Sequence, residues 1–371
     1  MASSSFWTGT PCLVIGGAGN LGSWIVQLLR ARGASVTTYD LAAYAGSESD
    51  VVSRVGDVCD RAALEQAMKG SQVVFHTASI IDIRPVPSPA MRRVNVDGVR
   101  NTIECCDACG VKTLVYTSSM EVVAGVDATG VAREFCGGPE DDESLPIPAR
   151  HHLPYATTKA EAEALVLAAH RSGKLLTTAL RSAYIVGPEC IGIKIELVKA
   201  QKQGGRYISA RMPANLSCVH PKNCALAHLL AAEKADESSV GGQAFFVSDF
   251  ESNTTDINVM VCEANGISAT LLPVWVAYII ASLMHVYYRC MFLLCSSVGV
   301  SFAIPMDVVD INAMRLAWRN ICFSTRKAHE ALGYGPSLGD YVSKEECLRQ
   351  TLDWAKGFWL NLQSDAVRKT H

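Results

Sequence analysis

Two residues in one short segment have the types and the spacing needed for proton transfer. Tyr155 and Lys159 stand four positions apart in Tyr-Ala-Thr-Thr-Lys, so a helix there projects the phenol and the ammonium from one face. A free tyrosine has a pKa of about 10, and a base that works near neutral pH needs a value about two to three units lower. A neighbouring positive charge lowers the pKa of a phenol. The pair therefore predicts a tyrosinate base.

Two further polar positions could complete such a site. Ser119 closes the run Thr-Ser-Ser after a predicted strand, and we expect its hydroxyl to hold the oxygen of an alcohol substrate, although Ser118 would also fit. Asn95 could link Lys159 through a water molecule or fix the neighbouring helix, and an ordinary helix hydrogen bond explains it equally well. The set predicts oxidation of an alcohol, with Tyr155 taking the hydroxyl proton.

A glycine-rich loop follows the first predicted strand. Residues 16–22 read Gly-Gly-Ala-Gly-Asn-Leu-Gly and lead directly into an apolar helix. Glycines allow a tight turn and let a pyrophosphate approach the backbone amides at the positive end of the helix. The residues expected to bind a dinucleotide here are Gly16, Gly19, Asn20, Leu21 and Gly22.

An acidic residue after the second predicted strand bears on the choice of dinucleotide. Asp40 follows Gly22 after one predicted helix and one predicted strand, where its carboxylate can accept hydrogen bonds from the adenosine ribose hydroxyls. Its charge would repel a 2′-phosphate, which favours NAD over NADP. The positive nicotinamide ring of NAD would add to the charge of Lys159 in lowering the pKa of Tyr155.

Three more residues near the strand ends are expected to border the cofactor. Asp57 could bind the adenine amino group, or it could instead cap the helix that begins at Arg61. His76 and Ala78 are likewise expected to border the cofactor, because they lie at the carboxyl end of a later predicted strand. Together with Tyr155 and Lys159 they complete the predicted cofactor site.

Short β-branched runs alternate with helical patterns from the N-terminus to Leu180. The predicted strands are Leu13–Ile15, Val36–Tyr39, Val73–His76, Leu114–Tyr116 and Leu175–Leu180, and the predicted helices are Leu21–Arg32, Ala62–Lys69, Met91–Cys109 and Tyr155–His170. Parallel pairing requires such crossovers, so the fold class is α/β with a Rossmann-type doubly wound parallel sheet. Ligands of such sheets lie at the carboxyl ends of the strands.

The chain divides into four predicted parts. Residues 1–187 form the NAD-binding domain, and residues 188–270 a smaller substrate region that includes returning sheet strands. Residues 271–304 form an apolar segment that associates with a membrane or acts as a lid, and residues 305–371 close the fold with helices.

Composition excludes several classes of protein. Of 371 residues, 19% are charged and 49% hydrophobic, which rules out a disordered chain. The formal net charge is −3 and no cluster of Lys and Arg could follow a phosphate backbone, so nucleic acid is not an expected partner. The fourteen cysteines are scattered, without a preceding secretory signal, and predict reduced thiols. Cys106 and Cys109 form one CxxC without a second ligand pair, so we interpret them as small helix residues and predict no metal.

Several segments beyond these motifs carry a resemblance to a known family. Together with the glycine loop and Tyr155 to Lys159, they resemble extended short-chain dehydrogenases, and more closely the 3β-hydroxysteroid dehydrogenase/isomerase family. The segments are 74–82, 115–122, 223–228, 246–249, 322–328 and 332–334. The resemblance implies a catalytic set of Ser119, Tyr155 and Lys159, NAD as cofactor and a 3β-hydroxysteroid or sterol as substrate. The chain departs from the family pattern at Ile15, Ser182 and the pair 221–222.

Two activities of that family compete. One oxidises the 3β-hydroxyl and can then move a ring double bond, and segments 80–82 and 120–122 are more similar to it. The other is the decarboxylating sterol-4α-carboxylate 3-dehydrogenase of sterol C4 demethylation, to which segment 273–278 is more similar. An isomerase needs an acid or base beside the ring, for which Glu121, Asp82 and the acidic run 140–143 are candidates. We interpret the run as a solvated loop, and His151 with His152 as an exposed loop pair.

The segment from Leu271 to Ile304 is apolar apart from His285, Arg289 and a few hydroxyls. As one helix its 34 residues would extend about 51 Å, beyond a hydrocarbon core of about 30 Å, with Arg289 near the bilayer centre. Two short helices on one leaflet avoid both problems, and a buried lid or true spans are the alternatives. We therefore expect a membrane lipid surface as a partner, at the endoplasmic reticulum, with the catalytic domain on the cytosolic side.

Two other function classes share such a fold. A non-catalytic NAD(P)-binding sensor or scaffold has no physical need of the complete Ser119, Tyr155 and Lys159 set. A reductase or epimerase of nucleotide sugars or flavonoids needs many polar groups, which the apolar segment lacks. The sequence therefore predicts an NAD-dependent 3β-hydroxysteroid or sterol dehydrogenase, for which a homodimer is one possible assembly.

Overall fold

A computed structural model describes residues 6–46, 50–84, 88–125, 133–151, 153–300, 302, 304 and 318–370. Its strands, in chain order, are β1 Pro11–Ile15, β2 Ser35–Asp40, β3 Val52–Val55, β4 Val73–His76, β5 Thr113–Ser119, β6 Phe135–Cys136, β7 Leu176–Ser182, β8 Tyr184–Ile185, β9 Arg206–Ala210, β10 Leu216–Val219, β11 Ala244–Val247, β12 Phe250–Ser252, β13 Ser268–Leu272 and β14 Ile321–Cys322. Its α-helices are α1 Asn20–Ala31, α2 Arg61–Met68, α3 Ala90–Arg92, α4 Gly98–Cys109, α5 Pro154–Ala168, α6 Ile191–Lys202, α7 Pro221–Glu233, α8 Thr254–Ala264, α9 Val274–Ser297 and α10 Lys344–Thr370.

Seven parallel strands form the sheet that carries the site. Their order is β11-β7-β5-β4-β1-β2-β3, and each neighbouring pair is parallel. The order reverses beside β1, which is where an open α/β sheet leaves a crevice for a ligand. The predicted doubly wound sheet and its α/β class are confirmed, and the elements predicted up to His170 and Leu180 are all present.

The centre of this sheet is buried on both faces. Val14, Phe75 and Val115, from the three central strands, are 0% exposed. They pack with Ile25 of α1 and Leu229 of α7 in one hydrophobic cluster. Helices cover both faces of a parallel sheet, and for that reason its strands are continuous apolar runs rather than alternating ones.

A second sheet joins parts of the chain that are far apart in sequence. Its order is β12-β10-β14-β6, and β8 also pairs with β10. The strand β6 belongs to the predicted NAD-binding domain, whereas β14 follows the apolar segment. The predicted four-part division remains a prediction, and this sheet ties three of its parts together.

The apolar segment differs from the arrangement that we predicted. Its beginning, Leu271 and Leu272, belongs to β13, which pairs with β9. Residues Val274–Ser297 form one continuous helix, α9, which has 24 residues and is about 36 Å long. No residue of α9 is buried, so both the pair of short helices and the buried lid are wrong. The segment has no glycine or proline between Val274 and Ser297 that would interrupt the helix.

The acidic run and the histidine pair are also placed differently from our prediction. Asp141 is 5% exposed and accepts a hydrogen bond from the Cys136 backbone N–H at 2.7 Å. Glu143 accepts one from the backbone N–H of Phe246 at 2.6 Å. These two carboxylates accept hydrogen bonds from backbone N–H groups inside the protein, so the run is not simply a solvated loop.

The histidine at 151 is not an exposed loop residue either. His151 is half-buried, and its Nε2 lies 2.9 Å from the carbonyl oxygen of Val122. The neighbouring His152 lies outside the described residues. The contact holds the chain that leads into α5 against the short 3₁₀ helix Met120–Val123.

Candidate active site

Tyr155 lies in the first turn of α5, where Pro154 starts the helix with a suitable φ angle. Its side chain is 8% exposed, as is that of Ser119 at the carboxyl end of β5. Burial raises the pKa of Tyr155, and the negative charge of Glu121 raises it further, while side-chain hydrogen bonds with Ser119 and Ser79 lower it. The structure therefore brings the phenol and the Ser119 hydroxyl together.

Lys159 is one turn further along α5 and is 2% exposed. Its Nζ donates to the carbonyl oxygen of Thr117 at 2.5 Å and lies 4.4 Å from the centre of the Tyr116 ring. Burial lowers the pKa of Lys159 to about 7, against the opposing charge of Glu163. The predicted lowering of the Tyr155 pKa by Lys159 is not what the chain shows, because burial of the phenol dominates.

The two adjacent serines of β5 point to opposite sides of the strand, as alternation requires. Ser118 donates to Glu163 Oε2 at 2.6 Å, and Glu163 is ion-paired with Arg181, whose Nη2 lies 2.7 Å from Oε1. Ser119 is the serine beside Tyr155. Of the two serines left open by the sequence, the geometry favours Ser119 for contact with a substrate.

Asn95 lies in a π-helical turn, Arg93–Asp97, that precedes α4. Its Oδ1 accepts from the Ile80 N–H at 2.8 Å and from the Ser79 hydroxyl at 3.2 Å. Its Nδ2 donates to the Ile80 carbonyl at 2.9 Å and to Thr158 Oγ1 at 3.1 Å. An amide side chain has two donors and two acceptor sites, so Asn95 has no capacity left for a water bridge to Lys159. It instead fixes the loop after β4 to α5.

The glycine loop packs too closely for side chains. Gly16 has a φ of +83°, and a Cβ there would lie 2.6 Å from the backbone nitrogen of Ala78. A Cβ on Gly22 would lie 2.0 Å from the carbonyl oxygen of Gly16. Gly19 precedes α1 and caps it without a side chain. The N-terminus of α1 is therefore approachable by an anion, as a dinucleotide-binding loop requires.

The other residues predicted to bind the dinucleotide make different contacts from one another. Asn20 donates from Nδ2 to the carbonyl oxygen of Pro188 at 3.0 Å, and Leu21 is 7% exposed and belongs to the core. Asp40, at the end of β2, accepts from the Ala18 N–H at 3.0 Å through Oδ2. A carboxylate oxygen has further lone pairs, so Asp40 can still accept from ribose hydroxyls beside the loop.

Asp57 does not cap α2. Its Oδ1 accepts from the Cys59 N–H at 2.9 Å, whereas Asp60 is the residue that caps α2, by accepting from Ala63 N–H. The capping alternative for Asp57 is therefore wrong. The carboxylate of Asp57 is 38% exposed and lies 3.8 Å from Arg93.

His76 lies below the loop rather than in it. It is 1% exposed, with Nδ1 3.0 Å from Thr102 Oγ1 and Nε2 3.2 Å from the carbonyl oxygen of Ala78. Burial lowers the pKa of His76 to about 3, so the ring is neutral. Since both nitrogens are occupied, His76 supports the backbone of Ala78, and Ala78 stays a predicted cofactor contact.

Sequence reasoning missed the buried ion pair and Ser79. Glu163 stands four residues after Lys159, so the helical spacing that singled out Tyr155 and Lys159 also marks it. Arg181 is the one charged residue of strand β7. Ser79 was only part of a segment that resembled the family, and no local pattern places its hydroxyl beside Tyr155.

We next consider the cysteines and the other groups that could bind a metal. All fourteen cysteines, each of which lies within the described residues, are free thiols. Cys106 is buried and Cys109 half-buried on α4. Among the described residues, no group of three or more His, Cys, Asp or Glu side chains could hold a metal ion.

Comparisons with known proteins find relatives over most of the chain. A family model described as the 3-beta hydroxysteroid dehydrogenase/isomerase family matches residues 13–274. The 3 beta-hydroxysteroid dehydrogenase type 7 of Mus musculus is 33% identical over 371 residues, which cover 93% of this chain and 95% of that protein. The decarboxylating sterol-4-alpha-carboxylate 3-dehydrogenase of Homo sapiens is 35% identical over 249 residues, 65% of this chain and 62% of that protein.

Solved structures share the fold over almost the whole chain. A UDP-glucose 4-epimerase of Thermus thermophilus in complex with NAD aligns with a TM-score of 0.66 at 23% identity. The alignment covers 94% of this chain and 99% of that one. At this level of identity the likeness establishes the fold.

Proposed function

Because the chain belongs to the 3-beta hydroxysteroid dehydrogenase/isomerase family, we propose that it oxidises the 3β-hydroxyl of a steroid or sterol to the 3-ketone, with NAD as the hydride acceptor. The observation that carries the proposal is the position of Tyr155. Its phenol lies beside Ser119 at the carboxyl end of the sheet, with Lys159 one turn away. A sensor or scaffold would not need these groups together.

Each residue of the site has a separate role in the reaction. Ser119 accepts or donates a hydrogen bond at the alcohol oxygen, and Tyr155 as tyrosinate takes the hydroxyl proton while a hydride leaves the carbinol carbon. NAD, when bound, accepts that hydride, and its positive ring favours the ionised phenol that burial disfavours. Asp40 and the glycine loop bind the adenosine ribose and the pyrophosphate. The amides at the start of α1 face the anion.

The experiment is NADH formation by the detergent-solubilised full chain. A 3β-hydroxy-5-ene steroid is the substrate, its 3α epimer is the control, and Tyr155→Phe is the matched variant. We expect NADH with the 3β epimer alone and a loss of about 10²- to 10⁴-fold in Tyr155→Phe. Equal turnover by Tyr155→Phe, or no NADH with any 3β-hydroxysteroid or sterol while NAD binds, would overturn the proposal.

A decarboxylating activity is the second candidate, supported by the similarity to the decarboxylating sterol dehydrogenase of Homo sapiens. In that reaction the new 3-ketone stabilises the carbanion left by carbon dioxide. Release of carbon dioxide from a 4-carboxysterol in the same assay would favour it over simple oxidation.

Double-bond isomerisation after oxidation would need an acid or base near the ring. Asp82 is 1% exposed and is held by Arg84, whose Nε lies 2.8 Å from its Oδ1. Glu121 is near enough to Tyr155 for its negative charge to raise the pKa of the phenol, which places it beside the proposed base. Appearance of a conjugated enone from a 5-ene steroid, and its loss in Glu121→Gln with oxidation retained, is the test.

A membrane lipid surface is the proposed partner of α9, which is long and apolar enough to cross a membrane by length and composition. Most of its large exposed side chains are apolar and recur about every four residues, and Arg289 is an exposed charge of the same helix. The apolar ones include Trp275, Ile279, Leu283, Val286 and Leu294, each at least half exposed. A bilayer is the partner whose chemistry matches a long apolar surface with one charge that can reach the headgroups.

The return of the chain after α9 favours an in-plane orientation. Arg84, in the loop that holds Asp82, donates to the carbonyl oxygen of Ile304 at 2.9 Å. Ile304 is the seventh residue after Ser297, and the chain between them spans at most about 25 Å. A helix that crossed a core of about 30 Å could not return to Arg84 in that length. The helix therefore lies along one leaflet beside the catalytic domain.

The in-plane orientation of α9 also bears on where in the cell the protein is expected. The endoplasmic reticulum, with the catalytic domain in the reducing cytosol, agrees with fourteen free thiols and gives a sterol direct access from lipid. We expect Leu283→Asp with Val286→Asp to abolish flotation with phosphatidylcholine vesicles, and Leu360→Asp on α10 to retain it. A glycosylation acceptor placed at residues 298–300 should remain unmodified in microsomes, and its glycosylation would show a crossing helix.

A further inference from the structure

Glu189 has a backbone conformation that glycine adopts far more readily than other residues. Among the described residues it is the only non-glycine residue with a positive φ, which is +65°. It lies in the loop between β8 and α6, directly after Pro188, and its side chain is exposed. Such a conformation is retained only where surrounding contacts hold it. The reaction proposed above gives Glu189 no role.

Helix α10 supplies two of the contacts that hold this loop. Trp354 donates from Nε1 to Glu189 Oε1 at 2.7 Å. Cys347 donates from Sγ to the carbonyl oxygen of Val186 at 3.4 Å. These two residues of α10 are seven positions apart, about two helical turns, so they lie on one face of the helix. The second carboxylate oxygen of Glu189 is ion-paired with Lys194 of α6.

The same loop also contacts the predicted dinucleotide site. The carbonyl oxygen of Pro188 accepts from Nδ2 of Asn20 at 3.0 Å. Asn20 is the first residue of α1, where the backbone N–H groups have no partner within the helix and can bind an anion. The strained residue therefore lies between two attachments: α10 on one side and the first turn of α1 on the other.

We propose that Glu189 is a positioning residue for NAD. Its bond with Trp354 keeps the loop in the left-handed conformation, in which Pro188 holds Asn20 and the first turn of α1 in place for the pyrophosphate. Without that bond the backbone at 189 relaxes and the carbonyl of Pro188 turns away. The first turn of α1 is then correctly placed in only a fraction of the molecules, and the apparent affinity for NAD falls by that fraction. The inference rests on the proposed binding of NAD at the glycine loop, whichever alcohol is oxidised.

Two substitutions of Glu189 separate its backbone conformation from its charge. Glu189→Ala and Glu189→Gly both remove the carboxylate together with its bonds to Trp354 and Lys194. Only glycine adopts a φ of +65° without a steric cost. A carboxylate that acted on the pyrophosphate through its charge would make the two variants equal. A carboxylate that holds the backbone makes Glu189→Ala the weaker binder of NAD.

The test is NADH binding by the detergent-solubilised full chain, followed by the fluorescence of the cofactor. We expect Glu189→Ala to raise the Kd for NADH by about five- to thirtyfold, and Glu189→Gly to remain within about threefold of the wild type. Trp354→Phe keeps a ring and loses the N–H donor, so it should raise the Kd by about three- to tenfold.

The matched control for Trp354→Phe is Trp359→Phe, which makes the same change on the same helix. The Trp359 ring is 6% exposed and packs in the hydrophobic cluster around α6 and α8. We expect this variant to lower the thermal unfolding midpoint without raising the Kd for NADH. An equal rise of the Kd in both variants would show general damage to α10 and overturn the specific role of the Trp354 bond.

A double-mutant cycle tests the connection to the glycine loop. Asn20→Ala removes the bond to Pro188, so adding Glu189→Ala should raise the Kd by less than about twofold further. Additive effects of these two changes, or a Kd for Glu189→Ala no higher than that for Glu189→Gly, would overturn the role of Glu189. A loss specific to alanine in a protein that binds NADH but oxidises no steroid would retain Glu189 and reject the proposed substrate.

Discussion

Glu163 and Arg181 form a buried ion pair directly behind the proposed catalytic lysine. The guanidinium Nη2 lies 2.7 Å from Oε1 and Nε 3.1 Å from Oε2, and the two side chains are 3% and 6% exposed. The pair joins α5 to β7, and Ser118 adds a bond from β5. Because Glu163 is one helical turn from Lys159, its charge acts on the lysine in a site from which water is excluded.

The first prediction concerns the alkaline limb of the pH profile. The pKa of Lys159 is lowered by burial to about 7, and Glu163 opposes that shift. In Glu163→Gln the opposing charge is lost, so Lys159 should lose its proton at a lower pH. We expect the alkaline limb of kcat/KM to move down by about one to two units, as measured over pH 5 to about 10 at constant ionic strength.

Other charged and titratable groups face Lys159 and bear on the control for this variant. Tyr116 on β5, and the neutral rings of His76 on β4 and His228 on α7, all lie near it. Glu161→Gln changes an exposed carboxylate of the same helix that pairs with Arg92. It should leave the limb in place, and an equal shift in both variants would contradict a specific effect of Glu163.

Stability gives the second prediction for the same pair. Glu163→Gln leaves Arg181 buried without a counter-ion, and the free energy of unfolding should fall by about 3–5 kcal/mol. The double variant Glu163→Gln with Arg181→Met removes both charges and should recover most of that loss. Denaturant unfolding measures both, and a double variant no more stable than the single one would contradict the ion-pair account.

The third prediction concerns Tyr116, whose ring supports Lys159. Its hydroxyl is buried without a hydrogen-bond partner among the described residues. Tyr116→Phe keeps the ring under the ammonium and removes the unsatisfied hydroxyl, so unfolding free energy should rise by about 1 kcal/mol. Tyr116→Leu removes the ring and should lower stability. A destabilised Phe variant in thermal unfolding would show that the hydroxyl is bound in solution.

The fourth prediction tests the choice of dinucleotide. Asp40→Ala removes the charge that would repel a 2′-phosphate, and the ratio of kcat/KM for NAD to that for NADP should fall by about 10- to 100-fold. Asp57→Ala is the control, because the adenine that it is expected to contact is common to both cofactors. An unchanged ratio in Asp40→Ala would remove Asp40 from the ribose site.

The fifth prediction compares two glycines in helices. Gly22→Ala places a Cβ 2.0 Å from the Gly16 carbonyl oxygen, so the loop must move and NAD affinity should fall by more than about tenfold. Gly357 in α10 has no atom within 4 Å of a Cβ, and Gly357→Ala should add about 0.5–1 kcal/mol of stability. Fluorescence titration with NADH and thermal unfolding measure the two effects.

Local patterns in the sequence were sufficient for five of the seven strands of the parallel sheet, for the glycine loop and for the helix that carries the base, but not for β3 and β11. The strands are short apolar runs and the helices between them have regular spacing, so the order of elements could be predicted from residue types alone. The glycine loop, Asp40, Tyr155 and Lys159 could also be predicted from local patterns. Each is identified by its spacing within one helix or by its position after one strand. The family resemblance, which the family model confirms, rested on these motifs.

Only the tertiary structure decided which distant side chains meet. Asn95 was open to three interpretations until its four hydrogen bonds to the Ser79 loop and α5 were placed. We predicted that Glu143 belongs to a solvated run, but its carboxylate accepts a hydrogen bond from the backbone N–H of Phe246 in β11. The apolar segment forms one exposed helix, and the return of the chain to Arg84 is a contact between distant parts of the sequence. Such contacts depend on how elements pack across the sheet, and no local period in a sequence encodes that packing.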